Sequence, residues 1–187
     1  MILYINACLR DESRTKRIAD ELAKSLDGDF QYLNLYDIDI PELNKALLNK
    51  RMEYCSKGDY SDKLFDLAKQ FKEANKIVIA APYWDFSFPA ILKKYIEIIS
   101  VSGLTFTYTE DGNPVGLCNG DILYYVTTSG SKMYNTEYNY GYIDALVTQL
   151  FGIKKTKFYK AEELDIIGND VDKIVNDCIE SIKKDIR

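Results

Sequence analysis

Lys76-Ile77-Val78-Ile79-Ala80-Ala81 runs directly into Pro82-Tyr83-Trp84-Asp85-Phe86-Ser87-Phe88-Pro89. The first six residues are an apolar, β-branched run without alternation, the pattern of a parallel strand covered on both faces. The next eight put four aromatics, at positions 83, 84, 86 and 88, into the loop that leaves this strand. Aromatic surface in a loop costs solubility unless something covers it. A planar ligand would cover it, and so would packing on the segment 104–120 or on a second subunit.

Upstream of this run, Ile2 to Ala7 reads as a first strand, and Ile18, Leu22 and Leu26 give residues 15–26 a helical stripe. Phe30 to Leu35 is a second strand that ends before the turn-rich Asp37 to Pro41, residues 41–61 carry no readable period, and Leu64, Leu67, Ala68 and Phe71 are spaced as a helix. Downstream, Leu92, Tyr95, Ile96 and Ile99 share one helical face opposite Lys93, Lys94 and Glu97, with Pro89 suited to the first turn. Asp-Gly and Asn-Gly signals make residues 104–120 an excursion with a short hairpin. Asp121 to Thr128 is a fourth strand, Ile143 to Phe151 a helix, Thr156 to Tyr159 a fifth strand, and residues 170–185 a last helix.

Five strands alternating with helices predict an α/β fold, a doubly wound five-stranded parallel sheet with helices on both faces, because right-handed crossovers place helices on either side. The flavodoxin-like strand order fits five strands best. A dinucleotide-binding order would show G-x-G-x-x-G after strand one, and neither that run nor a P-loop occurs in this sequence. At 187 residues and 47% hydrophobic content, residues 1–187 are expected to form a single domain. Ligands of such sheets sit outside the carboxyl ends where strand order reverses, which singles out the loops after strands one, three and four.

Composition narrows the chemistry. A net charge of −5 with scattered basic residues leaves no footprint for nucleic acid. No apolar run of ~18 residues and no leader-like N-terminus is present, so a soluble, cytoplasmic protein without membrane insertion is expected. The four cysteines are far apart and read as reduced thiols, with no zinc or redox pair. Histidine is absent, which removes the Ser-His-Asp and Cys-His nucleophile systems and most metal sites. An enzyme built this way is expected to draw its chemistry from an organic cofactor rather than from a catalytic side chain or a metal.

The loop after strand one, Asn6 to Lys16, leads into a helix start where free N–H groups, the hydroxyls of Ser13 and Thr15, and the charges of Arg14 and Lys16 suit a phosphate. A serine that only caps the helix explains Ser13 equally well. The loop after strand four, Thr127-Thr128-Ser129-Gly130-Ser131-Lys132, is small and rich in donors, suited either to a ligand carbonyl or to a plain turn. The tyrosines of residues 134–142 form either a lid over a flat ligand or an ordinary surface.

Together the three loops resemble the FMN-dependent NAD(P)H quinone oxidoreductase and azoreductase family of flavodoxin-like proteins. The likeness is carried by Ala81 to Phe86, Pro89 to Tyr95, Gly103 to Gly112, Pro114 to Leu117 and, more weakly, Phe151-Gly152-Ile153. The resemblance implies FMN as cofactor and NAD(P)H as co-substrate, with hydride passing through the flavin to a quinone, azo compound or similar flat acceptor. It implies that Ser13, Arg14 and Thr15 hold the FMN phosphate with Asn6 nearby. Pro82, Tyr83, Trp84, Asp85 and Phe86 then line the isoalloxazine, and Thr128, Ser129, Gly130 and Ser131 run along its pyrimidine side. It also implies a homodimer, with Tyr108 and Phe151 near the partner's active site. Three positions depart from the family: Asp85 where Asn is common, Gly130-Ser131 in place of paired glycines, and Lys132-Met133 where a histidine often follows. An ionised Asp85 facing the flavin would oppose its reduction to an anion, unless it points away. A flavodoxin-type electron carrier, or a non-catalytic module that has lost flavin, are the alternatives.

Overall fold

The computed structural model describes residues 1–186. Its main sheet has five parallel strands: β1 (Ile2–Asn6), β2 (Phe30–Asn34), β3 (Lys76–Ala80), β6 (Ile122–Thr128) and β7 (Thr156–Ala161), in the order β2-β1-β3-β6-β7. β4 (Phe106–Tyr108) and β5 (Pro114–Gly116) form a separate antiparallel hairpin, as the turn signals in residues 104–120 predict. The strand order reverses between β1 and β3, which pair in register from Ile2 opposite Lys76 to Asn6 opposite Ala80.

Strand alternation divides the core into two layers. Leu3, Ile5, Ile77, Ile79, Leu123 and Tyr125 face one layer, where α3 (Asp66–Glu73) and α4 (Ala90–Ile99) supply Phe71, Leu92 and Tyr95. Ile2, Tyr4, Val78, Ala80, Tyr124 and Val126 face the other, covered by α1 (Arg14–Lys24) and α6 (Val171–Ile186). α1 buries Ile18 and Leu22, and α6 buries Val175, Ile179 and Ile182. Each such side chain contributes about 1.5–3 kcal/mol by leaving water. These two layers leave only the ends of the sheet for a ligand.

Two regions differ from expectation. Residues 45–56, unreadable in sequence, form α2 (Lys45–Ser56), capped by the Asn44 side chain and burying no residue completely. The helix expected over 143–151 is regular only at α5 (Tyr142–Ala145), between π-helical turns at Glu137–Gly141 and Leu146–Leu150. β5 packs so closely on this region that a Cβ on Gly116 would overlap the backbone of Phe151 and Gly152. No helix of the described residues is long and apolar enough to cross a membrane.

Candidate functional site

At the carboxyl ends of β1, β3 and β6 the connecting loops enclose a cavity of roughly 280 Å³. Its floor at the β1 end is organised by Asn6. This buried side chain accepts from the Cys8 N–H at 3.1 Å and donates to Asn34 Oδ1 at 3.2 Å, so the loop leaves the sheet in one defined direction. Cys8 follows as part of the wall, its Sγ 3.6 Å from the Ala80 carbonyl. Burial raises its thiol to about 11, so it is neutral at physiological pH.

The α1 N-terminus forms the polar end. Ser13 is the N-cap, its Oγ accepting from the Lys16 N–H at 3.2 Å, which leaves its own O–H available to donate. Both the capping role and a place in the cavity wall therefore hold for this residue. Arg10 and Arg14 bring positive charge to the wall, and Glu12 and Asp165 bring negative charge. Lys16 is turned to other work: its Nζ lies 2.7 Å from Asp20, which also takes the Tyr4 hydroxyl at 2.8 Å. The Asp20 bond raises the Lys16 ammonium, and burial, helped by the bond to Asp20, pushes the Tyr4 phenol upward.

Pro82, Tyr83 and Trp84 form the opposite wall. Trp84 and Ser87 bond reciprocally, N to O at 3.1 Å and 2.7 Å, closing a two-residue turn over Asp85 and Phe86. Both central residues have positive φ, 51° and 64°. That is the type I′ arrangement, in which Asp or Asn is favoured first and Gly second. Asp85 thus fits its backbone, whereas Phe86 occupies a glycine position. The turn is fixed from outside: Tyr83 Oη donates to Asn135 O at 2.7 Å, Ser87 Oγ to Tyr138 O at 2.9 Å, and Asn139 Nδ2 to Ser87 O at 2.6 Å.

The third wall comes from Thr128, Ser129 and Gly130. Thr128 Oγ1 lies 2.7 Å from Thr15 Oγ1 in a buried contact that joins the β6 loop to α1. Ser129 Oγ donates to the Ser131 carbonyl. The loop after β7 completes the wall with Leu164 and Asp165, whose N–H groups bond Ser129 O at 3.1 Å and Gly130 O at 2.9 Å.

Of the residues expected at the site, Ser13, Arg14, Thr15, Pro82, Tyr83, Trp84, Thr128, Ser129 and Gly130 converge on the cavity. Asn6 lies beneath it as a support. Asp85, Phe86 and Ser131 are exposed outside its walls, the first two because they form the tip of the turn. Asp85 thus lies outside the cavity lining, at a turn position that accepts Asp and Asn alike. Lys132 is likewise exposed and outside.

Tyr108 stands 55% exposed on the hairpin. Phe151 corrects the expectation of a partner-facing ring. It is fully buried, its centroid 5.3 Å from that of Phe71 and 6.5 Å from that of Phe106, so its side chain offers no surface to a partner. Cys8, Arg10, Glu12, Leu164 and Asp165 are wall residues that sequence reasoning missed. The last two carry one available signal: they follow a strand adjacent to β6, so their loop opens on the same sheet edge.

An anion-accepting helix start, an aromatic wall and a donor-rich small-residue wall suit a ligand with a phosphate-like group at one end and a flat ring at the other. The model of a family described as having a flavodoxin-like fold matches residues 1–186. An FMN-dependent NADH:quinone oxidoreductase from Clostridium perfringens is 35% identical, over 96% of this chain and 94% of that protein. One of the same name from Clostridium beijerinckii is 36% identical, over 98% and 96%. The crystal structure of an azoreductase from Bacillus anthracis shares the fold with a TM-score of 0.84 at 21% identity, covering 99% of this chain and 97% of the other. By its matched family model and its clostridial relatives, the chain belongs to the flavodoxin-like family that contains the FMN-dependent NADH:quinone oxidoreductases.

Proposed function

We propose that this chain is an FMN-dependent oxidoreductase that passes hydride from NADH or NADPH to a quinone, an azo compound or a similar flat acceptor. The observation that carries the reading is the cavity at the strand-order reversal, with a helix N-terminus at one end and Pro82-Tyr83-Trp84 along a side. The donor set fits FMN. The first N–H groups of α1, the Ser13 hydroxyl and the guanidinium groups of Arg10 and Arg14 would hold the phosphate. The backbone of Thr128 to Gly130 and the half-buried Tyr83 line the cavity and would flank the ring system.

When bound, FMN supplies two-electron redox chemistry, taking hydride from a reduced nicotinamide and giving it to an acceptor. The chain contributes position and electrostatics, consistent with a sequence that contains no histidine. Trp84 and Phe86, 39% and 54% exposed, adjoin Tyr134 and Tyr138, 81% and 63% exposed, through the bonds between their segments. Such an apolar rim calls for a cover, and a second copy of the chain, with Tyr108 near its partner's site, provides one. We place the enzyme in the cytoplasm.

Anaerobic stopped-flow mixing of FMN-loaded protein with NADH or NADPH tests the reading. The visible flavin absorbance is expected to bleach and to return when a quinone is added. A flavin left oxidised by both nucleotides would overturn it.

A further inference from the structure

The loop after β7 brings a carboxylate to the polar end of the cavity, next to where an anion is to be held. Arg14 Nη1 donates to Asp165 Oδ1 at 2.7 Å and to the Leu164 carbonyl at 3.2 Å. Nη2 and Nε of Arg14 make no hydrogen bond among the described residues. We propose that Asp165 is a positioning residue for the cofactor phosphate, pinning Arg14 by one nitrogen so that its other two donors are held ready for the anion. The proposal rests on the reading of this cavity as an FMN site.

Three observations support a built arrangement. First, the loop is rigidly constructed: Glu163 is held at φ 63°, the Glu162 carboxylate accepts from the Met133 N–H at 2.7 Å, and Asn169 Nδ2 donates to the Glu163 carbonyl at 2.9 Å. Second, a Cβ at position 130 would overlap the Asp165 carboxylate, so Gly130 makes room for it. This gives the serine-for-glycine departure at 131 a counterpart: the glycine retained is the one the carboxylate needs. Third, the Arg14–Asp165 pair is 44% and 70% exposed at its side chains. Exposed pairs add little to folding stability, so stability alone does not explain why the loop presents a carboxylate here.

A free arginine loses side-chain freedom when it binds a phosphate, and a guanidinium already oriented loses less. Asp165 also places negative charge near the phosphate, which acts the other way. The two effects have opposite signs, so a single substitution separates them. If orientation dominates, removing the carboxylate weakens FMN binding. If Asp165 merely occupies Arg14 as a rival to the phosphate, removing it strengthens binding.

The test is quenching of flavin fluorescence on titration of the full chain, freed of flavin, with FMN and with riboflavin, which lacks the phosphate. Asp165→Ala is expected to raise the FMN dissociation constant about 3- to 10-fold, the range for one immobilised long side chain, and to leave riboflavin unchanged. Asp165→Asn keeps an acceptor for Nη1 and is expected to fall between. In an Arg14→Ala background, Asp165→Ala is expected to add no further weakening of FMN. Unchanged or tighter FMN binding by Asp165→Ala, or equal weakening of FMN and riboflavin, would overturn the proposal. A wild-type chain that takes up neither flavin would instead overturn the FMN reading beneath it.

Discussion

Phe86 should be more stably replaced by glycine than by alanine. It sits at φ 64° in the second central position of the turn that closes the aromatic wall. A left-handed backbone costs a residue with a Cβ about 1–2 kcal/mol, and glycine escapes this cost. Against it, glycine has the more flexible unfolded chain, which ordinarily makes it about 0.4–1 kcal/mol less stable than alanine. Both substitutions remove the same ring, so its lost contacts with Tyr83 and the solvent cancel in the comparison. The difference leaves Phe86→Gly ahead of Phe86→Ala by about 0.8 kcal/mol, or roughly 2–3 °C in melting temperature at this chain length. Thermal unfolding followed by circular dichroism resolves that gap. Phe88, two residues on with φ outside the positive region, is the control: there alanine should be the more stable. Alanine equal to or better than glycine at 86 would show that the turn carries no backbone strain.

The Thr15–Thr128 hydroxyl contact should behave as a unit: Thr15→Val strands a buried partner and costs about 1–3 kcal/mol, while adding Thr128→Val recovers part of the loss. Additive melting-point decrements in that double-mutant cycle would contradict the coupling. Gly116→Ala should cost about 3 kcal/mol or more, because its Cβ meets the backbone of residues 151–152, whereas Gly112→Ala, at φ 80° with open space around it, should cost only about 1–2 kcal/mol. Chemical denaturation of the two variants side by side checks the order. Burial raises Cys8 and Cys178 to about 11 and Cys118 to about 12, and pushes Tyr4, Tyr95, Tyr125 and Tyr159 upward. All are favoured neutral in the fold, so their stabilisation is complete below about pH 9 and is lost as pH rises through these values. The melting temperature should fall steadily above pH 9, with the four tyrosines ionising only on unfolding; a flat profile to pH 11 would refute this.

The sheet was legible because strands buried on both faces leave continuous apolar runs, at 2–6, 76–80 and 122–128. α2 escaped because Leu47, Leu48, Met52 and Tyr54 do not fall on one fully buried stripe. The π-helical turns around α5 have no marker in composition or period. At the site, residues next to strand ends could be read from topology, since the sheet itself brings those loops together. Asp165 could not, because its meaning depends on a partner 151 positions away. Phe151 shows the converse: the family resemblance of Phe151-Gly152-Ile153 implied a place near a partner's active site, and only packing against Phe71 and Phe106 reveals a core ring.

The bonds that close the cavity join residues far apart in the chain, Thr15 to Thr128 and Arg14 to Asp165. During synthesis, the aromatic turn and the α1 N-terminus leave the ribosome long before the loop that follows β7. The last wall is put in place only once the chain through Asp165 has been made and β7 has paired with β6. Completion of the cavity thus waits for the last strand of the sheet, and the early strands must hold together without a ligand's help. A flavin bound there would grip walls already assembled and, by mass action, hold the far-apart segments together against unfolding.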